Sequence, residues 1–174
     1  MKAKPKILLV LGALILAAWP AAAQVNERPQ YRASSGGTKA RTMLNEAIAA
    51  GKKWQPDAIL TSISTFSADT QGGASNWFYG FYSPKNDSYL NLTARGFSLD
   101  PLQAATGKRE AVAADFLDSD QVMAAAVRLG IKGTSPTMGL TGNTWIVMGG
   151  TETGNTGVFL NARTGKLIKR QVVQ

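Results

Sequence analysis

The chain has 174 residues, 44% of them hydrophobic, with 19 Lys and Arg against 11 Asp and Glu and a formal charge of +8. It contains neither His nor Cys. That excludes Ser-His-Asp and Cys-His catalysis, imidazole and thiolate zinc sites, and disulfides, so stability has to come from an apolar core.

Lys2, Lys4 and Lys6 precede an apolar run from Ile7 to Ala18, which Trp19-Pro20 breaks ahead of Ala21-Ala22-Ala23. A basic start, a short apolar middle and an Ala-x-Ala end read as a secretory signal peptide over 1–23, with cleavage after Ala23. The apolar run is about a dozen residues, and a membrane-spanning helix takes roughly 20. No Cys follows the cleavage site to carry the lipid of a bacterial lipoprotein. A periplasmic or secreted protein is expected, with no stable membrane anchor after cleavage. Loss of the three lysines leaves a side-chain charge of about +5, enough for solubility and weak attraction to acidic surfaces. The basic residues are scattered, and the aromatic stretch Trp77–Tyr82 has no interleaved Lys or Arg, so nucleic acid is not an expected partner.

Residues 24–37 are polar and read as a flexible leader. The first folded unit is expected over 38–105 and the second over 106–174. Ala40, Met43, Leu44, Ala47 and Ile48 fall on one helical face, with Thr38 as N-cap and Gly51 as the residue that ends the helix. Alternating β-branched residues from Ile59 to Phe66 predict a strand, and Gly72-Gly73 a turn. Further strands are expected at Trp77–Tyr82, at Tyr89–Ala94 and, briefly, at Phe97–Leu99. Asp118 or Ser119 caps a second helix, with Gln121 placed to complete a capping box and Gly130 to end it. Strands follow at Thr137–Leu140, Thr144–Met148, Val158–Ala162 and Lys166–Val173. A glycine-rich turn is expected over Gly149–Gly157, and a turn at Thr164-Gly165.

The two halves align on Trp77 with Trp145 and, fifteen residues on, Leu92 with Leu160. Each half opens with a helix that ends in glycine. This predicts an α+β fold of two tandem helix-then-antiparallel-sheet units, with the helices packed on one face of the sheet.

The close of the chain, Val158-Phe159-Leu160-Asn161-Ala162-Arg163-Thr164-Gly165-Lys166-Leu167-Ile168, resembles the hydrophobic–x–Asp–Ala–x–Thr–Gly–Lys–hydrophobic ending of PepSY-type domains. These are small exported bacterial modules with a helix on an antiparallel sheet. The resemblance covers roughly Asp118 to Arg170, with Asn161 where Asp is commoner, and extends faintly to Trp54-Gln55-Pro56-Asp57-Ala58 and Trp77. It implies a peptidase-binding, inhibitory or envelope-binding role and no catalytic residues. The tandem layout is also similar to that of beta-lactamase inhibitory protein, a disulfide-bonded protein, in architecture only.

Little in the sequence points to catalysis. Ser83-Pro84-Lys85 lacks the Ser-x-x-Lys spacing. Gly149–Gly154, Thr106-Gly107-Lys108 and Thr164-Gly165-Lys166 lack the P-loop ending. Asp118 and Asp120 sit where a helix start wants negative charge. No catalytic residue, metal ligand or cofactor is assigned. In the strand from Trp77, alternate residues point to opposite faces, and one helix layer covers only one of them. The candidate partner surface is Trp77, Tyr79, Tyr82 and Tyr89, a residue class that interfaces favour.

The expected function is an exported, non-catalytic protein-binding module, in one version a peptidase or hydrolase inhibitor and in another an accessory subunit of an envelope assembly. Its expected partner is another envelope or secreted protein. The alternative is a small envelope enzyme acting on cell-wall sugar or peptide. That needs convergent carboxylates drawn from Asp57, Asp69, Asp100, Asp115, Asp118 and Asp120. The sequence does not specify an oligomeric state.

Overall fold

The computed structural model of the chain describes residues 37–152 and 154–173. The expected signal peptide and residues 24–36 of the expected leader lie outside the described residues. In chain order the elements are α1 (Leu44–Trp54), β1 (Ile59–Thr65), β2 (Asn76–Ser83), β3 (Ser88–Arg95), β4 (Ser98–Leu102), α2 (Ser119–Arg128), β5 (Lys132–Thr141), β6 (Thr144–Thr151), β7 (Gly154–Asn161) and β8 (Leu167–Val173).

All eight strands form one antiparallel sheet in the order β4-β3-β2-β1-β5-β6-β7-β8. This corrects the expected fold class of two tandem helix-then-sheet units. β1 pairs directly with β5 through Ser62–Thr141, Ile63–Leu140, Ser64–Gly139 and Thr65–Met138. Two short helices are minor beside that sheet. The physical reason lies in β1 and β5 themselves. Ile63 and Leu140 are fully buried, and separate half-sheets would leave both strands with an unpaired backbone edge at the most apolar part of the molecule. Joining them leaves only β4 and β8 as edges.

The residue-level repeat is corrected by the same ladder. Trp77 lies opposite Ala94, whereas Trp145 lies opposite Leu160. Leu92 therefore lies opposite Tyr79 and does not occupy the place of Leu160. The equal spacing came from hairpins of unequal length.

Neighbouring strands share faces, so the pairs Tyr79–Ile63, Ile63–Leu140 and Leu140–Trp145 put all four residues on one side. On that side the Tyr79 hydroxyl donates to the Ala40 carbonyl (2.8 Å) and the Trp77 Nε1–H to the Thr38 carbonyl (2.8 Å), both in the approach to α1. The Trp145 Nε1–H donates to the Leu117 carbonyl (3.0 Å), in the approach to α2. Both helices therefore cover the same face. The core lies between them and Trp77, Tyr79, Phe81, Ile63, Leu140, Trp145, Val147, Val158 and Leu160.

Three local expectations change. Thr38 does not cap α1; it forms a bridge with Ala74, and the helix begins six residues later at Leu44. Gly51 does not end α1 but lies inside it, pressed on the Phe81 ring. Gly149, Gly150 and Gly157 are not in a turn but in β6 and β7, where Gly149 lies close to Ile131. The capping box of α2 is present: Asp118 and Gln121 each accept at the helix start, and Gly130, at φ +91°, follows its end.

Asn161 closes the β7–β8 turn with its side chain. Its Oδ1 accepts from the Arg163 and Thr164 amides and from the Thr164 hydroxyl, each at 3.1 Å. An amide oxygen meets that demand as a carboxylate would.

Candidate binding face

The second face of the sheet carries no helix. One continuous row of cross-strand neighbours runs over it from edge to edge: Asp100, Thr93, Phe78, Ser64, Gly139, Ile146, Phe159 and Lys169. A parallel row is polar and small: Asn91, Gly80, Ser62, Thr141, Thr144 and Asn161. Phe66, just beyond β1, meets Phe78 edge-on with ring centroids 5.5 Å apart. It is 71% exposed, and Met148 on β6 is 41% exposed. At the other end of the top row the Lys169 ammonium sits 4.1 Å from the Phe159 ring centroid. Gly139 has open space where a side chain would stand, so the middle of the row is a shallow notch between Phe78 and Ile146.

The four aromatic residues expected on a partner surface divide between faces. Trp77 and Tyr79 are fully buried under the helices, and burial raises the Tyr79 phenol well above its ordinary value. Tyr82 and Tyr89 lie opposite each other on the open face, with ring centroids 4.9 Å apart. A strap formed by residues 103–118 closes over them. Arg109 bonds the Tyr89 hydroxyl (2.9 Å), pairs with Asp87 (2.9 Å) and lies 5.2 Å from the Tyr82 ring centroid. Tyr82 keeps only 8% of its surface; burial, and then its hydrogen bond to Asp87, raise its phenol. Val112 and Ala113 tie the strap to the Leu60 and Gly142 carbonyls. Arg41, stacked on Phe116, bonds the Ala114 and Phe116 carbonyls where the strap reaches the helical side.

The six acids named for an enzyme do not converge. Asp57 accepts from the Lys85 amide (2.8 Å) and the Ser83 hydroxyl, and that amide chiefly holds its carboxyl below the usual range. Asp69 closes its own turn on the Gln71 and Gly73 amides. Asp100 stands on edge strand β4. Asp115 pairs with Arg163 across the strap (2.6 Å). Asp118 caps α2, and Asp120 bonds the Gln121 amide in its first turn. Among the described residues no three acidic side chains gather to hold a metal, and no helix is long and apolar enough to cross a membrane. A recess of about 370 Å³ opens on the helical side, lined by Thr70, Gln71, Met123, Val127, Ile131, Lys132 and Pro136.

Sequence reading missed the open-face residues Ser64, Phe66, Gly139, Ile146 and Phe159. Period-two alternation separates the two faces of each strand, but it does not say which face the helices take.

No family model matches the sequence, and no curated protein matches it. Among solved structures, a putative lipoprotein from Clostridium difficile 630 is similar, with a TM-score of 0.53 and 13% identity, over 74% of this chain and 91% of that one. At that identity the likeness concerns the fold alone.

Proposed function

We propose that this protein is an exported, non-catalytic binding module that engages another envelope or secreted protein through the open face of its sheet. The observation that carries the reading is the placement of both helices on one face, which leaves Phe66, Phe78, Ile146, Phe159 and Met148 on the other. Aromatic and Met side chains among small polar neighbours are the composition of an interface core.

Export is supported by the basic, apolar and Ala-x-Ala segments of residues 1–23. The C. difficile neighbour's description as a lipoprotein supports the same setting. The PepSY-type close from Val158 to Ile168 supports binding over catalysis, with peptidase inhibition as its specific form. The dispersal of the six acids supports the same choice.

The test places a photoreactive side chain at Ser64 on the open face, and at half-exposed Ile48 on α1 as control, in an exporting host. The expected result is one discrete adduct with a second protein from Ser64 and none from Ile48, on protein whose first residue is Gln24. Adducts from Ile48 alone move the partner to the helical side and overturn the reading.

A further inference from the structure

The two-sided symmetry of the open face points to an occupant. Four strands lie on each side of the β1–β5 seam. A two-fold axis along that seam, parallel to the strands, would lay β1 over β5 of a second copy, β2 over β6, β3 over β7 and β4 over β8. The edge-to-edge row would then meet itself reversed. Phe78 would stand over Ile146, and Ser64 over the notch at Gly139, while Thr93, 2% exposed, is already covered within its own copy. At the row's ends Asp100 would meet Lys169, twice per pair. The parallel row behaves likewise, with Gly80 over Thr144, Asn91 over Asn161 and Ser62 over Thr141. The two Phe66 rings would lie beside the axis, each over a Thr137.

We propose that the open face pairs with the open face of a second copy of this chain about that axis, forming a two-layer sheet sandwich. The proposal rests on the reading of this face as the binding face and names an occupant for it. The opposite charges of Asp100 and Lys169 at the two ends of one row favour this register. Aligned sheets pack about 10 Å apart at roughly 30°, an arrangement that small residues at the centre of the row permit. With eight strands spaced about 4.8 Å apart the row is roughly 34 Å long, and about 20 Å of strand length gives roughly 700 Å² per copy. The total, roughly 1,400 Å², exceeds the about 1,000 Å² that a specific interface needs. A foreign partner of the same face would have to displace the second copy.

The processed protein, recovered from an exporting host, is expected to sediment as a dimer that loosens as salt rises. Asp100→Lys and Lys169→Asp are each expected to weaken the dimer about tenfold, because each turns two attractions into two repulsions. The double variant restores opposite charges and is expected to return to within about threefold of the parent. Circular dichroism verifies that all three variants fold. A parent protein that stays monomeric at the highest soluble concentration overturns the pairing, as does a double variant no tighter than the singles. A monomer that still yields the Ser64 adduct with a foreign protein overturns the pairing alone. A charge-swap-sensitive dimer with no foreign adduct supports the pairing and removes the foreign partner.

Discussion

The Ser119 hydroxyl donates to the Gly72 carbonyl at 2.6 Å and accepts from the Ala40 amide at 3.1 Å. This one buried side chain, the first residue of α2, joins the approach to α1 and the β1–β2 loop. Those segments lie 79 and 47 residues away in sequence. Ser119→Ala would leave a buried amide and a buried carbonyl without that partner. A loss of about 1–3 kcal/mol is expected, read as a lowered midpoint in urea with an unchanged slope. A loss under about 0.5 kcal/mol would show that a water molecule takes over both of the hydroxyl's bonds.

Gly51 answers a different demand. A Cβ built on it would stand 2.7 Å from two atoms of the Phe81 ring. In a free helix Gly51→Ala would stabilise by about 1 kcal/mol. Here the ring must move, so a net destabilisation of about 1–3 kcal/mol is expected. The Gly51→Ala, Phe81→Leu double variant makes room and should recover part of that loss in a thermal melt. Strict additivity of the two changes would rule the clash out.

These two positions mark what sequence can and cannot disclose. The α2 capping box was legible because Asp118 and Gln121 are three residues apart and act on each other. Gly51 was not, because a glycine near a helix end reads as a stop, and the ring that requires it arrives from a strand thirty residues on. Gly149 and Gly150 misled in the same way, since strand glycines that admit a neighbour look like a turn. The β1–β5 pairing joins Ile63 to Leu140 and leaves no local trace at all. The aromatic run at Trp77 was legible as a strand, but assigning its faces required knowing where both helices lie.

Protonation should bound stability on both sides. The Asp57 carboxyl lies below its ordinary 3.8, chiefly through the Lys85 amide. Its contribution is therefore present above pH 3.8 and is lost as pH falls through the lowered folded value. The Tyr79 and Tyr82 phenols lie above their ordinary 10.0, chiefly through burial. Their contribution is present below pH 10.0 and is lost as pH rises through the raised folded values. Urea midpoints measured across pH should fall at both ends. Asp57→Asn should flatten the acid limb and Tyr79→Phe the alkaline limb; unchanged limbs would assign the dependence to other groups.

Trp77 and Phe66 should separate stability from binding. Trp77 is wholly buried and bonds Thr38, so Trp77→Ala is expected to cost about 3–5 kcal/mol through the cavity and the lost bond. Any accompanying loss of binding would follow the unfolded fraction. Phe66 projects from the open face, with 71% of its surface exposed. Phe66→Asp removes little packing, and its expected effect on the melting midpoint corresponds to within about 0.5 kcal/mol. It does place a charge on the open face, where desolvation would oppose any partner. The fully folded variant should therefore lose both self-association and the Ser64 adduct. If Phe66→Asp retains both while Trp77→Ala at low temperature loses them in folded protein, the binding surface lies on the helical side of the sheet.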